Sequence, residues 1–92
     1  MQPQYRIQII TPQGIAYLGE VIHALIPAED GFVGVLANHA PYVTSSSGGK
    51  LEVREKDLTE KSFRVGPGFF TISKNQASFL TQSFEPETPS RA

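Results

Sequence analysis

Apolar and polar residues alternate along most of the chain with a period of two. Tyr5, Ile7 and Ile9 are separated by Arg6 and Gln8, the pattern of a strand with one face buried. Leu51 and Val53 alternate with Lys50, Glu52 and Arg54. Phe63 and Val65 alternate with Ser62 and Arg64. Phe70 and Ile72 alternate with Thr71 and Ser73, and Ala77, Phe79 and Thr81 with Ser78, Leu80 and Gln82. Residues 15–18 and 21–26 are also apolar, and Gly19-Glu20 is expected to divide them into two strands. Val21 to Ile26 does not alternate cleanly, which a bulge or burial on both faces would explain. No window carries the 3.6-residue period of an amphipathic helix.

Between these segments lie chemical stop signals. Thr11-Pro12-Gln13-Gly14 reads as a turn, with Pro setting one central angle and Gly permitting a positive one. Ala28-Glu29-Asp30-Gly31 follows Pro27, the charged stretch 55–61 reads as a hairpin end, Gly66-Pro67-Gly68 breaks the chain, and Lys74-Asn75-Gln76 turns again. Ser45-Ser46-Ser47-Gly48-Gly49 is expected to be a flexible connection. Several short strands joined by Gly and Pro turns give an all-β domain, a two-sheet β-sandwich or flattened barrel. Its expected core is Tyr5, Ile7, Ile9, Val21, Ala24, Ile26, Val35, Leu51, Val53, Phe63, Val65, Phe70, Ile72 and Phe79. Residues 1–84 form this domain. Residues 85–92, with Pro86 and Pro89 and no apolar anchor, are expected to be an extended or disordered tail.

The segment from Gly31 to Pro41 breaks the simple alternation. Two glycines three apart are followed by an apolar pair, and Asn38-His39 is closed by Ala40-Pro41. This is a turn, a short strand and a loop whose shape Pro41 restricts. A loop so constrained is a candidate contact site.

Composition narrows the chemistry. The 92 residues suffice for one domain, and a net charge of −1 offers no bulk attraction to a phosphate backbone, so nucleic acid is not expected as a partner. There is no cysteine, which excludes a disulfide scaffold and a thiol nucleophile. No apolar run approaches the ~20 residues of a membrane span. His23, His39, Glu29 and Asp30 lack metal-ligand spacing, so no metal or cofactor is expected. The serine run lacks a nucleophile elbow, and Gly48-Gly49-Lys50 lacks the rest of a phosphate loop. Phe69 lies out of phase with Phe70 and Ile72. It either caps a sheet edge or presents an apolar anchor.

A series of short motifs then carries a resemblance. In order they are Ile10-Thr11-Pro12, Gly19-Glu20-Val21, Ile26-Pro27, residues 30–36 (Asp-Gly-Phe-Val-Gly-Val-Leu), Asn38-His39-Ala40-Pro41, and residues 68–72 (Gly-Phe-Phe-Thr-Ile) followed by Asn75. Together they resemble the amino-terminal domain of the epsilon subunit of the F-type ATP synthase, from about Tyr5 to Phe84. The resemblance implies a β-sandwich, and a non-catalytic rotor subunit that binds the gamma subunit and the membrane c-ring to couple ion flow to ATP synthesis. It implies a peripheral location on the inner face of an energy-transducing membrane. By resemblance, Glu29, Asp30, Phe32, Val33, Asn38, His39 and Pro41 would face the c-ring, and Tyr42, Val43, Thr44 and Phe69 would face gamma.

Three features depart from the family pattern. Phe32 stands where many members have an acidic residue, which implies a more apolar ring contact. Pro67 replaces the first of two glycines and should stiffen the loop before Phe69. Many relatives continue into a carboxy-terminal helical pair that restrains ATP hydrolysis; here Pro86 and Pro89 arrive instead, and no such brake is expected. Two other readings set beside the resemblance are a sandwich that binds a ligand through Phe69, Tyr42 and His39, and a hydrolase using His39 with Asp30.

Overall fold

A computed structural model describes residues 3–87. The described residues form nine strands and no helix: β1 (Tyr5–Thr11), β2 (Gly14–Ala28), β3 (Gly31–Leu36), β4 (Tyr42–Ser46), β5 (Gly49–Glu55), β6 (Glu60–Val65), β7 (Gly68–Ser73), β8 (Gln76–Thr81) and β9 (Phe84–Glu87). The ladder runs β4-β7-β8-β1-β2-β5-β6-β9, and β3 joins β2. Only the β1–β8 pair is parallel.

The expected division of residues 15–26 does not occur. They lie in one 15-residue strand, β2. Its first half pairs with β1, from Gly14 to Val21, and its second half with β3 and β5. Gly19-Glu20 passes through without a turn because Gly19 still faces Ile7 across the ladder. The chain thus builds two layers that share β2: β4-β7-β8-β1 with the first half, and β3-β5-β6-β9 with the second. The anticipated bulge is present. The β2–β5 register shifts between Val21 and His23, so Val21 and Ile22 are both buried.

All fourteen expected core residues are buried, and Ile22 and Ala77 join them. The fourteen and Ala77 form one cluster drawn from both layers, with Tyr17, Val33, Ala37, Tyr42 and Phe84 packed against it. The Tyr5 hydroxyl donates to the Val35 carbonyl at 2.9 Å, tying β1 to β3. On the far side, Phe63 stacks against Tyr17 (4.7 Å between centroids) and Phe84 (5.2 Å). The Tyr17 hydroxyl donates to Glu55 Oε2 at 2.6 Å, and Lys61 approaches the same oxygen at 3.1 Å. Burial and the neighbouring Glu55 carboxylate push the Tyr17 phenol well above its ordinary range.

Two sequence expectations are modified at the strand ends. Ser45 and Ser46 belong to β4, and Ser46 is buried with its Oγ accepting from the Gly48 N–H at 2.9 Å. The stretch read as a connection is therefore mostly ordered strand. Phe84–Glu87 pairs with β6 in an extended conformation, so the sheet runs past residue 84. Residues 88–92 of the expected tail lie outside the described residues.

Candidate docking surfaces

The first layer has an outer face whose two central rows carry no charge. Ser45, Phe69, Leu80, Ile10 and Ile15 are successive cross-strand partners on β4, β7, β8, β1 and β2. Their neighbours Phe70, Phe79 and Ile9 point into the core, so by alternation this row points outward. The next row is Val43, Thr71, Ser78, Gln8 and Leu18. Gln8 Nε2 donates to Ser78 Oγ at 3.2 Å, so even its polar members are partly satisfied. Phe69 is 59% exposed and Val43 70%. Beside Phe69, Leu80 and Ile10 lies an open depression of about 590 Å³, with Pro12 and Pro67 at its rim.

The second layer's outer face is different. Lys50–Glu52 (3.3 Å), Arg54–Glu60 and Arg64–Glu87 (3.1 Å) cross it as surface ion pairs. Only the β3 margin is apolar, where Phe32 and Leu36 project outward on either side of Gly34. This asymmetry distinguishes a wet face from one that gains by being covered.

The residues expected to meet the c-ring do not form one cluster. Glu29 and Asp30 form the β2–β3 turn, where Ala28 pairs with Gly31 and Pro27 with Phe32. The Ser45 Oγ donates to Glu29 Oε1 at 2.8 Å, so this turn lies beside the far end of β4. Asn38, His39 and Pro41 lie at the other end of β3, about 17 Å away at strand rise. Val33 does not face outward; it opposes Ile26 and packs on the core. Among the residues expected to meet gamma, Val43 and Phe69 lie in the uncharged central rows of the first layer's outer face. Tyr42 and Thr44 alternate to the inner side, and Tyr42 packs on the core.

The loop after β3 is built by specific contacts. Asn38 is left-handed (φ 65°) and its N–H donates to Asn75 Oδ1 at 2.6 Å. His39 Nδ1 lies 2.7 Å from the Ala40 carbonyl, and its ring meets Tyr42 edge-on at 5.9 Å. The two alternative readings fail on this geometry. His39 and Asp30 are at opposite ends of β3, so they form no catalytic pair. Phe69 points out of the sheet while Tyr42 points in, so Phe69, Tyr42 and His39 line no common pocket. No helix among the described residues is long and apolar enough to cross a membrane.

Ile10, Ile15, Leu80 and Asn75 were not singled out as contact residues by the sequence. The available signal was phase: Leu80 lies out of step with Ala77 and Phe79, as Phe69 does with Phe70 and Ile72. Pairing the two required knowing that β7 and β8 are neighbours.

Comparison with known proteins agrees with this architecture. The chain is 35% identical over 78 residues to the ATP synthase epsilon chain of Chlorobium limicola, covering 85% of this chain and 89% of that one. It is 40% identical over 76 residues to the epsilon chain of Leptospira interrogans, covering 83% of this chain and 59% of that longer relative. The fold matches a chain of the Euglena gracilis mitochondrial ATP synthase structure, OSCP/F1/c-ring in rotational state 1. The TM-score is 0.84 at 21% identity, covering 94% of this chain and 56% of that one. The model of the β-sandwich domain of the ATP synthase delta/epsilon chain matches residues 4–87. The chain belongs to the delta/epsilon family of the ATP synthase and is built as its β-sandwich domain, a non-catalytic part of that complex.

Proposed function

We propose that this chain works by binding, as a central-stalk subunit held between the gamma subunit and the c-ring. The observation that carries the reading is the pair of uncharged central rows on the first layer's outer face, which has an ion pair, Arg6–Glu20 (3.7 Å), beside them at its margin. Phe69, Leu80, Ile10 and Ile15 form an apolar row across four strands, while the opposite outer face is laced with ion pairs. A sheet face of this kind suits a stable protein interface, because its apolar anchors gain energy only when water is excluded.

We assign this face, with Val43 at its edge, to gamma. The Asn38–Pro41 loop runs directly into Val43, so we place it on the same partner. The Glu29–Phe32 turn lies at the opposite end and is our candidate for the c-ring. There Phe32, 60% exposed, offers an apolar contact beside two carboxylates. Separating the two contacts along β3 allows one rigid body to be held at both ends.

The test is co-expression with the cognate gamma subunit followed by affinity capture. Phe69→Asp and Leu80→Asp should each abolish co-purification while leaving the melting temperature of the isolated chain within a few degrees. Arg54→Glu, on the opposite face, should have no effect on capture. Retention of gamma by both aspartate variants would refute the assignment.

A further inference from the structure

Asn75 sits in the two-residue turn between β7 and β8, yet its side chain reaches a loop 37 residues earlier in the chain. Its Oδ1 accepts the Asn38 N–H at 2.6 Å, and its Nδ2 donates to Asn38 Oδ1 at 3.1 Å. Its carbonyl also accepts the Arg6 N–H at 3.0 Å, so the turn itself is anchored to β1. Asn38 and Asn75 are both left-handed, at φ 65° and 62°.

This conformation is informative. Lys74 and Asn75, both at positive φ, make a hairpin turn in which glycine is the favoured second residue. Asparagine tolerates the left-handed region less well than glycine does. The backbone alone gives no reason for a side chain here. The two hydrogen bonds to Asn38 do. They fix the start of the loop whose next residues are His39, with its ring against Tyr42, and then Pro41 and exposed Val43.

We infer that Asn75 is a positioning residue for partner docking: it touches no partner itself and holds the Ala37–Pro41 loop in the shape that the partner meets. This rests on the assignment of that loop to the gamma interface. The clasp pre-pays the ordering of the loop, and its removal should appear as weaker association rather than as loss of fold.

The experiment compares Asn75→Gly and Asn75→Asp. Glycine relaxes the turn backbone and deletes the clasp. Aspartate keeps an acceptor for the Asn38 N–H, and rotation of the Asn38 amide can present its own NH₂ to the new carboxylate. Binding of the full chain to purified gamma subunit would be measured by calorimetry, with amide exchange at Asn38 and thermal unfolding alongside. Asn75→Gly should weaken binding roughly tenfold, speed Asn38 exchange and leave the melting temperature equal or higher. Asn75→Asp should bind within about twofold of wild type. A merely structural turn residue would instead move the melting temperature and binding together. If wild type binds gamma and Asn75→Gly binds equally well, the positioning role is overturned and the docking assignment stands. If wild type does not bind gamma, the docking assignment falls and the positioning role with it.

Discussion

Replacing Gly68 by alanine tests how closely β7 and β8 are packed. A Cβ built at Gly68 would lie 1.8 Å from the Leu80 carbonyl oxygen and 2.9 Å from its carbon, both backbone atoms of the adjacent strand. Ordinary contact between such atoms is about 3.4 Å, so β8 would have to retreat by roughly 1.5 Å. No side chain can rotate to absorb this. β8 lies between β7 and β1, so retreat from one strand drives it into the other. Overpacking alone costs about 1–3 kcal/mol, and each ladder bond lost at the strand end adds about 1 kcal/mol. The expected destabilisation is about 3–4 kcal/mol, which for a domain of this size lowers the melting temperature by roughly 12 °C or more. Gly31→Ala is the contrast. Gly31 has φ +119° and nothing within 4 Å of the new Cβ, so its cost is backbone strain alone, about 1–2 kcal/mol. Urea unfolding followed by circular dichroism gives both values. If Gly68→Ala costs less than Gly31→Ala, the close approach of the two strands is wrong.

Thr81 is buried, its Oγ1 lies within 3.0–3.2 Å of the carbonyls of Gly66, Pro67 and Ser83, and it accepts the Ser83 N–H at 3.3 Å. Thr81→Val should therefore cost about 1–3 kcal/mol in urea unfolding, because it strands buried polar groups, and Thr81→Ser should cost less. Tyr17→Phe removes the 2.6 Å bond to Glu55 and should cost about 1–2 kcal/mol at neutral pH. Because the folded state holds the Tyr17 phenol protonated above its unfolded value near 10, this stabilisation is complete below about pH 10 and is lost as pH rises. Wild type should lose stability more steeply than Tyr17→Phe on the alkaline side; parallel curves in pH-dependent urea titrations would refute this. Asp57 has the opposite sign. Bonds from Thr59, chiefly its backbone N–H, lower its carboxyl pKa, so Asp57→Asn should remove stability at neutral pH that wild type itself loses as acid is added.

The core was legible because burial follows phase. Every segment with strict alternation placed its apolar set inward, and Phe63, Phe70 and Phe79 needed no tertiary information. What was not legible is long-range. β2 reads as two strands because Gly19 and Glu20 interrupt its apolar pattern, yet a neighbouring β1 supplies partners straight through them. The serine run reads as a connection because Ser45 and Ser46 carry no apolar signal, yet they pair with Phe69 and Gly68. Strand order also decides which outward residues meet. The antiparallel β7–β8 pairing sets Phe69 beside Leu80, and the parallel β1–β8 pairing brings the distant Ile10 into the same row. The resemblance supplied the family, but it could not show that Glu29 and His39 lie at opposite ends of a strand.

That separation bears on how such a body could carry torque. A force applied at the Glu29–Asp30 turn enters β2 and β3. β2 continues without a break into the first layer, where it is bonded to β1 through Val21 to Gly14. A hinge between the layers would need β2 to bend. The buried run of Val21, Ile22, Ala24, Ile26 and Pro27 resists this, because bending would expose apolar surface worth about 25 cal/mol per Å². Exposed ion pairs across the second layer would contribute much less, since each is worth about 1 kcal/mol or less and is screened by salt. Stiffness therefore resides in the shared strand and the single core. Breaking the surface pairs, for example with Arg64→Gln and Lys50→Gln together, should leave coupling between ATP hydrolysis and ion pumping intact in a reconstituted complex. Opening a cavity in the core beneath β2 with Ile26→Ala should weaken that coupling even where gamma is still bound. Equal loss of coupling in both variants would place the stiffness on the surface instead.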